Sequence, residues 1–600
     1  MVDTTVADDT SVVPDSFGID RFADDTSLRS LLPLYIDDRL LEHLRPTLTA
    51  LGPRLGGELD ELAGIADRNP PVLRPRTRTG QDLESVEAHP AYRALQQVAY
   101  GDLGMAAMSH RPGVLGWPEV MPPVVKYLFF YLFAQAEFGL ECPVSMTDSL
   151  TRVLRKFGSQ QLQERYLPGL TSTDLDTLLQ GAMFMTEQGA GSDTGRIETS
   201  AVDNGDGTWS LHGQKWFCSN VDAELSMVLA RPAGAGEGTK GIGLFLLPRH
   251  LPDGTQNAQR IVRLKDKLGT RSMPSGEVSL DGATAYLVGE LGQGFKQMTD
   301  MINPSRLSNG VRSAGLMRRA FAEARYVCAN REAFGSTLNK LPLQRRQLAK
   351  LLLPTEQGLS MVLHTADVYA KSEAGDSRAT AVLRILTPLL KFRTTRDARK
   401  VTADAMEVRG GVGYIEEFGD ARVFRDAQLG SIWEGTSNIV ALDVIRAAHR
   451  SESLKPLIGH LQDLLAEAAG TGAAGDGAAT GCVPAVLHGH LEELTGRIMH
   501  LLELLPMGTD QERVRQAASA TYHLVSAIVL TWEGAHVGQR FGDWTRLVLA
   551  ALVVRHKLLP QDPLEPAADD AEVIDDLVAG VPFDRERARA AVESILAGTR

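Results

Sequence analysis

Apolar residues recur at three- and four-residue spacing through most of the chain to about residue 175, the period of helices with one buried face. "PLYIDDRLLEHLRPTLTALGPRL" (33–55) and "PVVKYLFFYLFAQAEFG" (123–139) are the clearest stretches. The run "VVKYLFFYLFAQA" (124–136) is too short for a membrane span and carries a lysine, so it predicts a buried helix. Between 180 and 290 the period shortens. "AVDNGDGTWSLHG" is a hairpin, with Asn-Gly and Asp-Gly turns between short strands. "SMVLARP", "GIGLFLLPR", "RIVRLK", "GEVSLDG" and "AYLVGE" predict further short strands, spaced as in a small barrel or sandwich. From 293 the helical period returns, in a segment ending at "NREAFG" and then over 342–373, 378–408 and 437–450. Long helices with short connections predict a bundle. A Gly/Ala linker near 468–481 leads to another helical region, 483–560, and an acidic tail, 561–600, which holds either one short docking helix or no fixed structure.

The order is helices, then strands, then helices: a segregated α+β chain, with no alternating βαβ units and no expectation of a Rossmann nucleotide site. It divides into an N-terminal helical domain with an extension (1–178), a central β domain (179–291), a helical bundle (292–450) and an extra C-terminal helical region (451–600).

Composition narrows the function classes. Six hundred residues, 43% hydrophobic, can bury more than one core. The net charge of −13 argues against a general nucleic-acid or membrane-surface binder, which needs clustered Lys and Arg. Cys142, Cys218, Cys328 and Cys482 are widely spaced, so neither a disulfide framework nor a metal site is supported, and a reducing cytoplasm is expected. The acidic start "MVDTTVADDT" has no apolar core and does not resemble a signal peptide.

Five motifs carry candidate chemistry. In "FMTEQGAGSD" (184–193), Gly189 and Gly191 admit close approach of a ligand to the backbone, and Thr186 and Ser192 offer hydroxyls; an ordinary Gly-rich turn is the alternative. In "GQKWFCSN" (213–220), Phe217 and Ser219 share one face of a strand and suit a planar cofactor, unless the ring is core. Arg331 in "NREAFG" suits a phosphate, or is a helix-end cation favoured by the dipole. The glycines of "EVRGGVGY" (407–414) cap a helix or let something pass close to the backbone. In "SIWEGTSNIV" (431–440), Glu434 lies between a Trp and a Gly just before a helix. It is either a helix-start carboxylate or a base in an apolar pocket.

Taken in order, "MTEQGAGSD", "GQKWF", "LGTRS", "GELGQGFKQM", "REAFG", "RGGVGY" and "WEGTSNI" resemble the successive motifs of the acyl-CoA dehydrogenase family, over about 180–445. "DRNPPVLRPRTRTGQDLESVEAHPAY" (67–92), "CPVSMT" (142–147) and "FLLPRHLPDGTQNAQRIVRLKDKLGTRS" resemble its AidB-like branch, flavoproteins of the adaptive response to DNA alkylation.

The resemblance implies a helical domain, a β domain and a four-helix bundle, assembled as a homotetramer or homodimer with FAD at a subunit interface. It places the backbone around Met185, Thr186, Gly191 and Ser192 at the flavin, with Phe217 against the ring and Ser219 near N5. Arg331 and Phe334 would reach a neighbouring subunit's FAD, Gly410 and Gly411 would pass its adenine half, and Thr436 and Asn438 would touch the cofactor. Where the family commonly has Gln, this chain has Glu407, which cannot donate as an amide does.

Glu434 falls on the family's base, which removes the α proton of an acyl thioester while the β hydrogen leaves as hydride. Ser192, Arg306, Trp433 and Gly435 fall at the substrate. Relatives that carry the base on an earlier helix place it just before an Arg; here that pair is Ser305-Arg306, and a serine is no base at neutral pH. The implied activity is that of an FAD-dependent acyl-CoA dehydrogenase giving a 2,3-enoyl product from an acyl-CoA or related substrate, its electron acceptor open. Two alternatives stand beside it: a DNA-associated protective flavoprotein, and a flavin oxidase, monooxygenase or decarboxylating enzyme of specialised metabolism. Against the first, residues 451–600 hold 12 Lys and Arg against 21 Asp and Glu, a surplus that repels a duplex.

Overall fold

The computed structural model describes residues 13–470, 481–505, 511–562, 564 and 570–597. It opens with helices α1 (Thr26–Tyr35), α2 (Asp38–Gly56) and α3 (Glu58–Arg68). The stretch 33–55 is thus not one helix. Ile36 is extended, and the Asp37 carboxylate accepts from the Leu40 amide to start α2 afresh. A second departure from helix follows: strands β1 (Val72–Arg76) and β2 (Asp82–Glu87) pair as an antiparallel hairpin. Helices α4 (Pro90–Gln96), α5 (Pro123–Phe133), α6 (Glu141–Phe157) and α7 (Gln160–Leu170) complete the N-terminal part. α5 is buried on all sides, and its Lys126 is tolerated because the ammonium donates to Asp148 at 2.8 Å.

The β region holds β3 (Gly181–Phe184), β4 (Ser200–Asp203), β5 (Trp209–Ser219), β6 (Leu225–Pro232), β7 (Gly243–Pro248), β8 (Gln259–Leu264) and β9 (Ser275–Leu287). Their order is β3-β6-β4-β5-β9-β7; β7 pairs back onto β6, so the sheet closes as a barrel, and β8 lies beside β9. The segments 276–282 and 285–290, expected as separate strands, are largely one strand, β9. Gly282, at φ +78°, does not end it; β5 slips register opposite, between Leu211 and His212, and the pair bulges.

The bundle consists of α8 (Gly294–Asn330), α9 (Pro342–Glu373), α10 (Ser377–Val408), α11 (Gly419–Gly430) and α12 (Ser437–Arg450). Between α8 and α9, β10 (Glu332–Ala333) and β11 (Ser336–Thr337) form a tight hairpin. The remaining helices are α13 (Leu454–Ala469), α14 (Ala485–Glu503), α15 (Val514–Phe541), α16 (Thr545–Val553), α17 (Ala571–Ala579) and α18 (Arg585–Ile595). The tail therefore carries two helices rather than one, seated by buried Ile574, Phe583 and Ile595 and by Arg346 donating to Asp570 at 3.0 Å. Most of the Gly/Ala linker, 471–480, falls outside the described residues.

A buried polar network stitches the extension to the rest. Glu533 on α15 accepts from Tyr35 at 2.8 Å, Ser360 at 2.7 Å and Arg546 at 2.7 Å, joining α1, α9, α15 and α16. No helix among the described residues is long and apolar enough to cross a membrane.

Candidate active site

The turn between α11 and α12 holds Glu434 in a left-handed conformation, φ +55°, followed by Gly435 at φ +100°. A non-glycine residue held there costs about 1–3 kcal/mol and persists only where its surroundings fix it. Two cations do so. Arg306 Nε of α8 donates to the Glu434 carbonyl at 3.0 Å, and Lys391 Nζ of α10 donates to the Gly435 carbonyl. Arg306 is held in turn by Asp443 of α12 at 2.9 Å, and that carboxylate also takes Arg384 at 2.8 Å.

This geometry turns the Glu434 side chain toward α8, where it is 6% exposed. Oε1 accepts from the Ser305 hydroxyl at 2.5 Å and lies 4.0 Å from Arg312 Nη2, while Oε2 has no partner among the described residues. The carboxylate does not serve the amides at the start of α12. Burial raises its pKa above the ordinary carboxylate range, opposed by Arg312, Ser305, Lys391 and Arg306. Burial likewise pushes the Lys391 ammonium down to about 7, against the pull of Glu434. A poised carboxylate with one free oxygen and one anchored oxygen is suited to accept a proton.

Aromatic rings wall the site. Phe138 and Trp433 stack with centroids 5.9 Å apart, and Arg312 lies over both, 5.2 Å and 5.0 Å from the ring centres. The "LGTRS" loop (268–272) anchors the barrel beside them: Thr270 N–H donates to Asp426 at 2.6 Å, and the Ser272 hydroxyl donates to Glu137 at 2.7 Å. A Cβ on Gly269 would stand 2.6 Å from the Arg425 carbonyl, so nothing larger than glycine fits there.

The residues expected at a flavin fall into two groups. Met185 and Thr186 follow β3, and the Thr186 carbonyl accepts from Trp216 N–H at 2.8 Å, joining this loop to β5. Gly191 and Ser192 are exposed. On β5, Phe217 is 58% exposed and Ser219 lies on the same face, whereas Cys218 between them is buried in the barrel. Phe217 is therefore not core. In the second group, Arg331 donates to the Arg409 carbonyl at 3.1 Å, and its guanidinium lies 3.8 Å from where a Gly410 Cβ would stand. Gly410 has φ +69°, Gly411 faces open space, and Phe334 is 96% exposed. Thr436 starts α12 without a side-chain cap bond, and it, Asn438 and Glu407 are exposed. Bare glycine backbone beside exposed aromatics and an arginine fits a large planar cofactor with a phosphate arm.

Three family models match in series: the adaptive response protein AidB N-terminal domain over 12–177, the acyl-CoA dehydrogenase middle domain over 182–283, and the acyl-CoA dehydrogenase C-terminal domain over 292–449. The chain is 33% identical to acyl-CoA dehydrogenase family member 11 of Caenorhabditis elegans, over 72% of this chain and 70% of that one. The chain belongs to the acyl-CoA dehydrogenase family. It is also 34% identical to the putative acyl-CoA dehydrogenase AidB of Escherichia coli K12, over 68% of this chain and 75% of that one. The crystal structure of Caenorhabditis elegans ACDH-11 in complex with C11-CoA superposes with TM-score 0.77 at 26% identity, covering 99% of this chain and 98% of that one. Members of the family are oxidoreductases acting on CH–CH groups and bind FAD.

Sequence reasoning singled out Glu434, Trp433, Gly435 and Arg306 but missed Ser305 as a partner of Glu434, and Arg312, Lys391 and Phe138 altogether. A signal was present on α8. Ser305, Ser308, Asn309 and Arg312 form a polar stripe at helical spacing along α8, and all four are buried. Lys391, 44 residues from its acceptor Gly435, left no such mark.

Proposed function

We propose that this chain oxidises the bond between the α and β carbons of an acyl-CoA thioester, with Glu434 as the base that removes the α proton. One observation carries this reading: a buried carboxylate beside Trp433, with Oε1 held by Ser305 and Oε2 unpartnered. FAD, when bound, supplies the acceptor for the β hydrogen as hydride, so the substrate loses two hydrogens and becomes a 2,3-enoyl thioester. The exposed face of β5, Phe217 and Ser219, together with the loop from Met185 to Ser192, would hold the ring. Arg331, Phe334, Gly410 and Gly411 would serve the phosphate arm and adenine of a neighbouring subunit's cofactor, which makes the working form a homo-oligomer. Thr436 and Asn438 would meet the cofactor at the start of α12. Four free, buried cysteines suit a reducing cytoplasm. A DNA-protective role is less favoured, because the region beyond Arg450 is acidic.

The test is anaerobic titration of the purified flavoprotein with short, branched and long acyl-CoAs, alongside Glu434→Gln. Bleaching of the flavin by some member, lost in the variant, is the expected result. A flavin that stays oxidised with every thioester would overturn the reading.

A further inference from the structure

Next to Glu434 lies a group that an apolar acyl chain would leave unserved. Arg312 is fully buried. Its Nε donates to the Ser308 carbonyl one turn back at 3.3 Å, yet neither Nη1 nor Nη2 has a hydrogen-bond partner among the described residues. Its one ion pair among the described residues is the 4.0 Å approach to Glu434 Oε1, beyond hydrogen-bond distance. Glu141 at the start of α6, near enough to Arg312 for that charge to oppose the effect of its burial, is itself fully buried, and neither of its carboxyl oxygens has a hydrogen-bond partner among the described residues. Phe138 and Trp433 stack on each other, and the guanidinium lies over the pair, 5.2 Å and 5.0 Å from the ring centres, where neither ring offers its Nη groups an acceptor. A guanidinium with open Nη donors, lying over an aromatic pair beside the proposed base, is suited to a two-oxygen acceptor.

We propose that the acyl chain of the substrate ends in a carboxylate, and that Arg312 binds it through Nη1 and Nη2 while Glu434 acts on the α carbon. The proposal rests on the thioester reading above and names its substrate class: short dicarboxylic acids esterified to the thiol at one end. A short chain follows from the separation, because the guanidinium and the base are only 4.0 Å apart. Glu141 fits the same role. Burial, opposed by Arg312, raises its pKa well above the ordinary range, which favours the protonated form, and a protonated Glu141 would donate its O–H to the same acceptor. With a carboxylate bound, the donors of Arg312 and Glu141 are filled; with a methyl-ended chain they stay buried and empty. Sites built to hydrogen-bond a substrate group reject the analogue that lacks it, by about 10⁴-fold in the strongest cases. The reaction class is unchanged: Glu434 takes the α proton, FAD when bound would supply the acceptor for the β hydrogen and its electron pair, and the distal carboxylate is not altered.

The experiment compares succinyl-, glutaryl- and adipyl-CoA with butyryl-, valeryl- and hexanoyl-CoA on the full-length flavoprotein, reading anaerobic flavin bleaching rates and, in Glu434→Gln, dissociation constants. A preference of about 10²-fold or more for one dicarboxylic member over its methyl-ended partner is expected. Arg312→Met should abolish that preference, lowering the dicarboxylic rate by a much larger factor than the methyl-ended one, which itself falls because Arg312 also stabilises the charged form of Glu434. Equal rates for the paired thioesters in the unsubstituted protein would overturn the assignment, and that comparison does not depend on the variant folding. A uniform loss on both series in Arg312→Met would also overturn it, since Arg312 would then act only by orienting Glu434. Bleaching by methyl-ended thioesters alone defeats this inference and leaves the dehydrogenase reading standing. Bleaching by none defeats both.

Discussion

The Ser305 hydroxyl donates to Glu434 Oε1 at 2.5 Å, so residues 129 positions apart meet through one short hydrogen bond. Ser305 stands just before Arg306 on α8, and its hydroxyl serves the carboxylate of the loop. Its hydrogen bond favours the charged form of Glu434 against the larger effect of burial. Ser305→Ala removes that support, so the carboxylate loses its proton at higher pH still. The acid limb of the pH profile for flavin reduction should move up. The rate at neutral pH should fall about tenfold, matching loss of one charge-assisted hydrogen bond.

Glu434→Gln separates function from stability. Reduction by substrate should fall by about 10²–10⁴ or more. Because burial raises the folded pKa of Glu434, its contribution to stability is full below the unfolded value and is lost as pH rises through the folded one. The neutral amide escapes that loss. Thermal melts should show Glu434→Gln gaining stability over the unsubstituted protein at pH 8 relative to pH 4.

Lys391 has the same logic with the opposite sign. Burial brings its folded pKa down from 10.5 to about 7, so the folded chain releases its proton before the unfolded chain does. Stability from this group therefore rises with pH between about 7 and 10.5, and below that window the buried charge opposes folding. Denaturant unfolding of Lys391→Met at pH 6 and pH 9.5 should show a flatter pH dependence, with the Gly435 carbonyl left without its donor.

Gly435 stands at φ +100°, and a Cβ there would meet Ile439 and Val440 methyls at 3.3 Å. Gly435→Ala should cost about 1–3 kcal/mol in chemical denaturation. It should also reduce activity more than it reduces flavin content, because the strain acts on the carbonyl geometry beside Glu434.

Arg331→Ala tests the cofactor arm. Loss of a guanidinium contact to a phosphate is worth about 1.5–3 kcal/mol, so apparent FAD affinity should fall tenfold or more. Fluorescence of released flavin on dilution measures it, and unchanged retention would remove Arg331 from the cofactor site.

Local pattern was enough to expose the architecture. Three- and four-residue spacing marked the helices of both ends, Asn-Gly and Asp-Gly marked the β4–β5 hairpin, and the ordered motifs from "MTEQGAGSD" to "WEGTSNI" marked Glu434 and the family. Those signals are short-range, and short-range chemistry is what a linear sequence displays. Where two local rules competed, the reading failed. Ile36 and Asp37 split an apparently continuous helix, Gly282 bulged a strand it had been expected to end, and the tail formed two helices because the bundle offered Arg346 and an apolar seat.

The environment of Glu434 was decided by tertiary packing. Ser305 and Arg312 come from α8, Lys391 from α10 and Phe138 from the turn before α6, and none is a sequence neighbour of Glu434. The sequence by itself determined which carboxylate was available and which helices would form. Only the folded chain decided that this carboxylate is desolvated, held by one oxygen and faced by an arginine with open donors, because burial and charge proximity depend on distances in space and leave no local pattern along the chain.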